Sequence, residues 1–350
     1  GSDEINEAKT TNIATALQGK VSGLRITMSP NGPGSSANIL LRGLRSLSGN
    51  NQPLIIIDGV PLDNSSRPLE TGGSTGVYGG RNGGDGIGML NSDNVESMTV
   101  LKGASAAALY GSQGQNGAII ITTKSGKVGK ITMNYTGNVS VYEANRLPKL
   151  QSEYGQGTGG VYDPNGEGSW GPKATGQLVT LWNGDEVPYV GQPNHLKDFL
   201  RRGLTIDNTV SLMGGDSLMQ TYFSYGNTNA KGIIRNQTYN RNNFDLRIDN
   251  KVTSRLSFST KLTYIIENNN NKATTDSHVD VYTRILKAPV TIPLSEMQKY
   301  EYFDSLGNRR QSFWKPGSVF NSNPYWALDR HLYYEQKDRI LGLLSVKYDF

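Results

Sequence analysis

The chain has 350 residues, 42 of them glycine and none cysteine, with 35% hydrophobic residues and a formal net charge of +5. Disulfide frameworks and cysteine-based zinc sites are excluded, and a charge this modest, without a long Lys/Arg run, leaves no nucleic-acid footprint. The Gly-rich balance, with Asn, Ser, Thr and Tyr prominent, suits many strands and turns and is too varied for a disordered chain.

Up to residue 127 the strands are short and apolar on both faces. Ile39-Leu40-Leu41, Leu54-Ile55-Ile56-Ile57 and Ile119-Ile120-Ile121 are continuous runs, as strands covered on both sides require. Turns rich in Gly and Asn separate them, at 31–34 and 48–51. The 64–88 segment holds nine glycines and almost no aliphatic residue, so it is a long loop without a core of its own. Residues 95–101 read as a strand, 104–109 as a short helix with alanine at four of six positions, and 117–124 as a returning strand. These elements make a small mixed α/β domain over 1–127.

From Ile131 the period changes. Ile131, Met133, Tyr135, Gly137, Val139 and Val141 alternate with Thr132, Asn134, Thr136, Asn138 and Ser140, close to the length of a tilted membrane-spanning strand. Similar alternation recurs at 204–212, 244–249 and 256–264, and 217–227 and 340–350 bring the candidates to about six. Tight turns at 214–216 and 252–255 contrast with long polar connections at 143–203, 228–242 and 266–339, the loop asymmetry of an outer-membrane barrel. Val279, Tyr282, Ile285 and Leu286 place a helix over 276–287, stopped by Pro289. No run approaches the ~20 apolar residues of a membrane helix. A soluble antiparallel sandwich accounts for a single alternating strand, but not for six with asymmetric loops. The expected fold is therefore mixed: a small α/β domain, then antiparallel transmembrane β-barrel strands over 128–350.

Four motifs in order carry a resemblance. Ala16-Leu17-Gln18-Gly19-Lys20-Val21-Ser22-Gly23-Leu24 is followed by Leu41-Arg42-Gly43 and Pro53-Leu54-Ile55-Ile56-Ile57-Asp58-Gly59-Val60-Pro61. Then come Asn94-Val95-Glu96-Ser97-Met98-Thr99-Val100-Leu101-Lys102-Gly103 with the alanine helix, and Asn116-Gly117-Ala118-Ile119-Ile120-Ile121-Thr122-Thr123-Lys124. Together they resemble the plug domain of SusC/RagA-type TonB-dependent outer-membrane transporters, and Lys287-Ala288-Pro289 more weakly resembles the family's early barrel loops.

The resemblance implies a 22-stranded barrel in the Gram-negative outer membrane, filled by the plug and energised by TonB-ExbB-ExbD. It also implies a SusD-like lipoprotein lid, a dimer of such pairs, and an oligosaccharide or oligopeptide cargo. The TonB box and the small β-sandwich that usually precede the plug are not in this sequence. Six strands fall below the smallest single-chain barrel, so the chain reads as the N-terminal portion of a longer polypeptide. A non-transporting structural or adhesive component reusing the fold is the alternative.

By the same resemblance the 64–88 loop faces the cargo cavity. Arg67, Tyr78, Arg81, Asn82 and Asp85 could offer charge, hydrogen bonds and a stacking face, although they also fit a solvated glycine loop with incidental polar groups. Trp170, with Tyr154, Tyr162, Trp182, Trp314 and Trp326, could meet cargo or lid, or pack within the loops. Arg42 matches the plug arginine that faces barrel-wall carboxylates in related transporters, a buried charge that needs partners. Asp58 is expected to shape its Asp-Gly turn. No catalytic set, cofactor or metal is expected: His195, His278 and His331 are scattered. The glycines at 79–84 lack the flanking strand and helix of a nucleotide loop.

Overall fold

The computed structural model describes residues 1–6, 9–46, 51–65, 68–69, 81–273, 280–316 and 321–350. In the N-terminal domain, Leu54–Ile57 lies inside a four-stranded sheet ordered Val60–Leu62, Leu54–Ile57, Ala118–Thr123, Val95–Leu101. Its pairing with Ala118–Thr123 is parallel, and the other two pairings are antiparallel. A parallel pair needs a crossover, and the chain between them supplies it, including the helix Ala104–Tyr110. Asp58 and Gly59 connect Leu54–Ile57 to Val60–Leu62 with φ of 49° and 89°, the two left-handed residues of a tight hairpin turn. Leu24–Met28 and Ala37–Leu41 pair separately. The apolar core, with Ile13, Ile26, Ile39, Ile55, Ile87 and Ile119 among its members, draws no described residue from beyond Ile121.

Six long strands follow, called here the first to sixth wall strands: Gly129–Tyr142, Gly203–Gly215, Met219–Lys231, Thr238–Lys251, Leu256–Asn270 and Tyr334–Tyr348. They form one antiparallel sheet in chain order. The connection expected at 228–242 is much shorter than its composition suggests. Thr228 through Lys231 and Thr238 through Asn242 are paired strand, which leaves only 232–237 as loop. The genuinely long connections are 143–202 and 271–333.

One face of the wall meets the N-terminal domain, and the opposite face carries the apolar rows. Tyr135, Val210, Tyr225, Phe244, Tyr264 and Ile340 share one row of the register. On the first strand the outward apolar run climbs three alternate positions beyond this row, to Val141. On the sixth it ends at Ile340, below Asp338 and Gln336. On the second strand, apart from Asn208, it climbs to Leu204, on the third and fourth it ends at Tyr225 and Phe244, and on the fifth at Ile266, so the upper apolar edge drops between the second and third strands.

Beyond the wall, the connections 143–202, 232–237 and 271–333 build a layer with its own core, which includes Leu196, Phe199, Ile234, Ile285, Ile292 and Trp314. Two capped helices frame it. Asp280 accepts from the Tyr282 and Thr283 backbone N–H groups at the start of Val281–Lys287, and Asn323 caps Pro324–Arg330. The helix expected over 276–287 therefore begins at Val281, and 276–279 lie outside the described residues.

Candidate functional site

The inner face of the wall is polar, and it grips the N-terminal domain through hydrogen bonds and ion pairs. Asn94 is one anchor: it donates to Asp245 Oδ2 at 2.5 Å and accepts from the Tyr222 hydroxyl at 2.9 Å and Ser224 Oγ at 2.8 Å. Arg241 Nη1 donates to the carbonyls of Gly88 and Thr11 at 2.5 and 3.3 Å, and Asn243 donates to the Met89 carbonyl at 2.9 Å. Two loops are held against the fifth and sixth strands. Lys272 donates to the carbonyls of Gly34 and Asn82 at 3.2 and 2.8 Å and lies 3.3 Å from Glu335. Lys337 donates to the Gly83 carbonyl and lies 2.8 Å from Glu335 and 3.6 Å from Glu267. Gly34 is required at this contact, because a Cβ there would lie 2.4 Å from the Tyr239 ring.

Asp58 does more than shape its turn. It accepts from the Thr123 backbone N–H at 2.9 Å, from Thr123 Oγ1 at 2.7 Å and from Lys261 Nζ at 2.8 Å. The carboxylate therefore ties the hairpin to the neighbouring strand and to the fifth wall strand. Burial disfavours its charge, but Lys261 and the Thr123 donors outweigh that and hold the carboxyl below the usual range.

Between the N-terminal domain and the loop layer lies a cavity of about 810 Å³. Thr10, Thr11, Thr15, Met28, Ser29, Pro30 and Pro33 form its floor. Leu147, Leu200, Ile233, Ile234, Ala273 and Tyr282 form its roof, and Tyr142 closes one side, with Arg146, Lys231 and Asp280 supplying charge. Its lining is mainly apolar with a few polar groups, the usual make-up of a small-molecule or peptide site.

None of the described residues singled out as cargo contacts lines this cavity. Asp85 is 4% exposed and accepts from Ala37 N at 2.6 Å, Gly88 N at 2.8 Å and Asn12 Nδ2 at 3.1 Å. It is an internal brace. Burial pushes its carboxyl above the usual range against these three donors. Asn82 is likewise consumed, accepting from Ser36 N and Gly84 N and donating to Ser36 Oγ. Arg67 and Tyr78 lie outside the described residues. Arg81 pairs with Leu69 through its backbone, and its side chain also lies outside them. Arg42 is exposed in a turn with φ 64° and faces no carboxylate among the described residues. The wall carboxylates Glu335 and Glu267 pair with Lys272 and Lys337 instead.

The loop aromatics divide. Trp314 is buried edge-on against Trp182, whose indole N–H donates to Ser312 Oγ, and Tyr162 packs on Tyr189. Trp170 remains 63% exposed beside Tyr154, at 5.9 Å between ring centres. Among the described residues no cluster of three His, Cys, Asp or Glu could hold a metal ion.

Comparison with known proteins agrees with this geometry. The profile of the TonB-dependent Receptor Plug Domain family matches residues 1–118. TonB-dependent receptor SusC of Bacteroides thetaiotaomicron is 35% identical over 240 residues, covering 68% of this chain and 21% of that protein. The chain belongs to the SusC/RagA-type TonB-dependent receptors. TonB-dependent receptor P26 of Formosa agariphila is 26% identical over 280 residues, 76% of this chain and 24% of that protein. The RagAB peptide importer in its open-open state shares the fold, with a TM-score of 0.61 at 19% identity over 99% of this chain and 38% of that chain. The chain spans about a fifth to a quarter of the length of these curated receptors. In this SusC/RagA-type receptor, the four-stranded sheet is the plug core and the six long strands are wall.

Proposed function

We propose that the full-length receptor imports an oligopeptide across the outer membrane by displacement of its plug, driven by TonB-ExbB-ExbD. A SusD-like surface lipoprotein covers the loop layer. One observation carries this reading: no wall residue belongs to the plug's apolar core. A plug sharing its core with the wall would lose about 1.5–3 kcal/mol per large side chain on leaving. Hydrogen bonds such as those of Asn94 and Asn243 exchange for water at a net cost of about 1 kcal/mol each. The plug is therefore bound firmly and yet removable.

The cavity supports peptide over glycan. Its Leu, Ile, Pro and Met surfaces suit apolar side chains, while Arg146, Lys231 and Asp280 suit termini or charged side chains. Tyr142 and Tyr282 are the aromatic rings that line it. The test is uptake of labelled oligopeptides and oligosaccharides by cells with and without TonB, and with and without the lid lipoprotein, at equal barrel insertion. Peptide uptake should vanish in both deletions. Undiminished uptake without TonB would sink the transport reading and favour a structural or adhesive role, whereas TonB-dependent uptake of sugars alone would overturn only the cargo.

A further inference from the structure

Above the apolar band, the outward face of the third and fourth wall strands changes chemistry abruptly. Tyr225 and Phe244 end the apolar rows, with ring centres 4.9 Å apart. The next two register pairs are Asn227 with Asn242 and Asn229 with Asn240. Their side chains form a closed ring of hydrogen bonds. Asn227 Nδ2 donates to Asn242 Oδ1 at 2.8 Å, Asn242 Nδ2 to Asn240 Oδ1 at 2.9 Å, and Asn240 Nδ2 to Asn229 Oδ1 at 2.6 Å. Asn229 Nδ2 closes the ring on Asn227 Oδ1. The Tyr225 hydroxyl donates into it from the membrane side, to Asn242 Oδ1 at 2.9 Å. The register extends the same surface to Asn268 and Gln336.

Asparagine is depleted in strands, so four side by side add nothing to the sheet that Thr or Val would not add better. What they supply is a fixed array of donors and acceptors. Each amide carries two N–H donors and two acceptor lone pairs, and the ring uses only part of them, leaving the rest turned outward. Among these positions there is no Lys or Arg; Lys231 is the next outward residue on the third strand and Asp338 shares the row of Asn227 and Asn242, so the charges that flank the amides are of opposite sign. On the second strand the equivalent positions are Asn208, opposite Asn227, and Ile206, opposite Asn229, and on the first strand Gly137 and Val139, so the amides extend to Asn208 and stop there. On the third and fourth strands they begin directly above the apolar rows, the level at which lipid head groups meet a membrane wall.

We propose that this asparagine patch docks the uncharged sugar part of outer-leaflet glycolipid. Planar amides pair with vicinal hydroxyls, and the preformed ring lowers the ordering cost of doing so. The assignment rests on the bilayer placement of the wall and is independent of cargo or energy coupling.

The test is native mass spectrometry of the full-length receptor in nanodiscs containing either lipopolysaccharide with its core sugars or lipid A alone. The wild type should retain the sugar-bearing lipid about tenfold better, and Asn229→Val with Asn240→Val should abolish that preference. Heat-modifiable migration shows whether the variant is folded. If the double variant fails to fold, Asn240→Thr alone should still halve the preference or more. Equal retention of both lipids by the wild type, or an unchanged preference in a folded variant, would overturn the proposal. So would a change confined to oligomeric state, which would make the patch a contact between copies.

Discussion

Lys261→Met tests whether the wall holds the plug by discrete polar latches. Lys261 and Asp58 are 13% and 8% exposed at the side chain and 2.8 Å apart. Removing one member of such a pair strands the other charge, at about 3–5 kcal/mol. Asp58 retains both Thr123 donors, which places the loss near the lower end, at about 3 kcal/mol. At 1.4 kcal/mol per decade, this raises the displaced-plug population about 100-fold. Passive entry of a large antibiotic excluded by the plugged barrel, in cells carrying the full-length receptor, reads that population. Asp58→Asn combined with Lys261→Met leaves no buried charge and should recover much of the loss. Wild-type leakage by Lys261→Met, or greater leakage by the double variant than by the single, would refute the latch. Because the folded Asp58 carboxyl titrates below its ordinary value, its contribution is intact above about pH 4. It is lost only as pH falls through the lowered value.

Three further outcomes follow from the same contacts. His195 is 2% exposed, neither ring nitrogen has a hydrogen-bond partner, and burial pulls its pKa from 6.5 to about 4. The loop layer should therefore lose stability as pH falls from about 6.5 toward 4, by about 2 kcal/mol at pH 5. Faster amide exchange over 195–199 at pH 5 checks this, and His195→Phe should remove the pH dependence. Gly34→Ala puts a methyl group 2.4 Å from the Tyr239 ring at a φ of +72°. Strain and overpacking together cost about 3 kcal/mol, seen as protease sensitivity of the plug. Asp85→Ala leaves the Ala37 and Gly88 N–H groups without their acceptor, at about 3 kcal/mol, and should lower plug melting. Reduced cargo affinity in a stably folded Asp85→Ala variant would instead restore the cargo role.

The sequence was most readable where one physical demand acted alone. In the apolar band, lipid on one face and a polar lumen on the other impose period two, and the strands at 131–141, 204–212 and 256–264 showed it clearly. Above the bilayer that demand stops. The outward positions of Thr228 through Lys231 and Thr238 through Asn242 are all polar and the inward ones mix Thr228 and Arg241 with Ala230 and Tyr239, so apolar alternation disappears although the ladder continues, and the segment reads as a long loop. The site residues were harder for a related reason. A polar residue in a glycine loop has the same appearance whether it binds cargo or braces the fold. Only the structure shows that Asp85 and Asn82 spend their bonds on Ala37, Gly88, Ser36 and Gly84. The cavity itself is assembled from Thr10, Met28, Leu200 and Ile233, which come from distant segments with no shared motif.

The patterning of the wall also explains why the plug is a domain in its own right. In a soluble protein the apolar faces of successive strands turn inward and fuse with whatever they enclose. Here lipid claims the apolar face, and the buried positions turned inward are mostly polar, Ser224, Arg241, Asn243, Asp245, Thr263 and Glu267 among them, with Ile265 and Ala230 as apolar exceptions. A body inside such a wall gains no shared hydrophobic core, so it must bury its own, as the cluster from Ile5 to Ile121 does. It must then meet the wall with matched polar groups, because each buried donor or acceptor left unpaired costs about 1–3 kcal/mol. Asn94 shows how that requirement concentrates adhesion: one amide engages Tyr222, Ser224 and Asp245. Its neighbour Asp93 is paired at 2.5 Å with Lys9 near the start of the chain. In the proposed cycle, tension on the start of the chain reaches this anchor through the Lys9–Asp93 pair and through Ile5, which is seated in the plug core. The plug can then be released from the wall without first being unfolded.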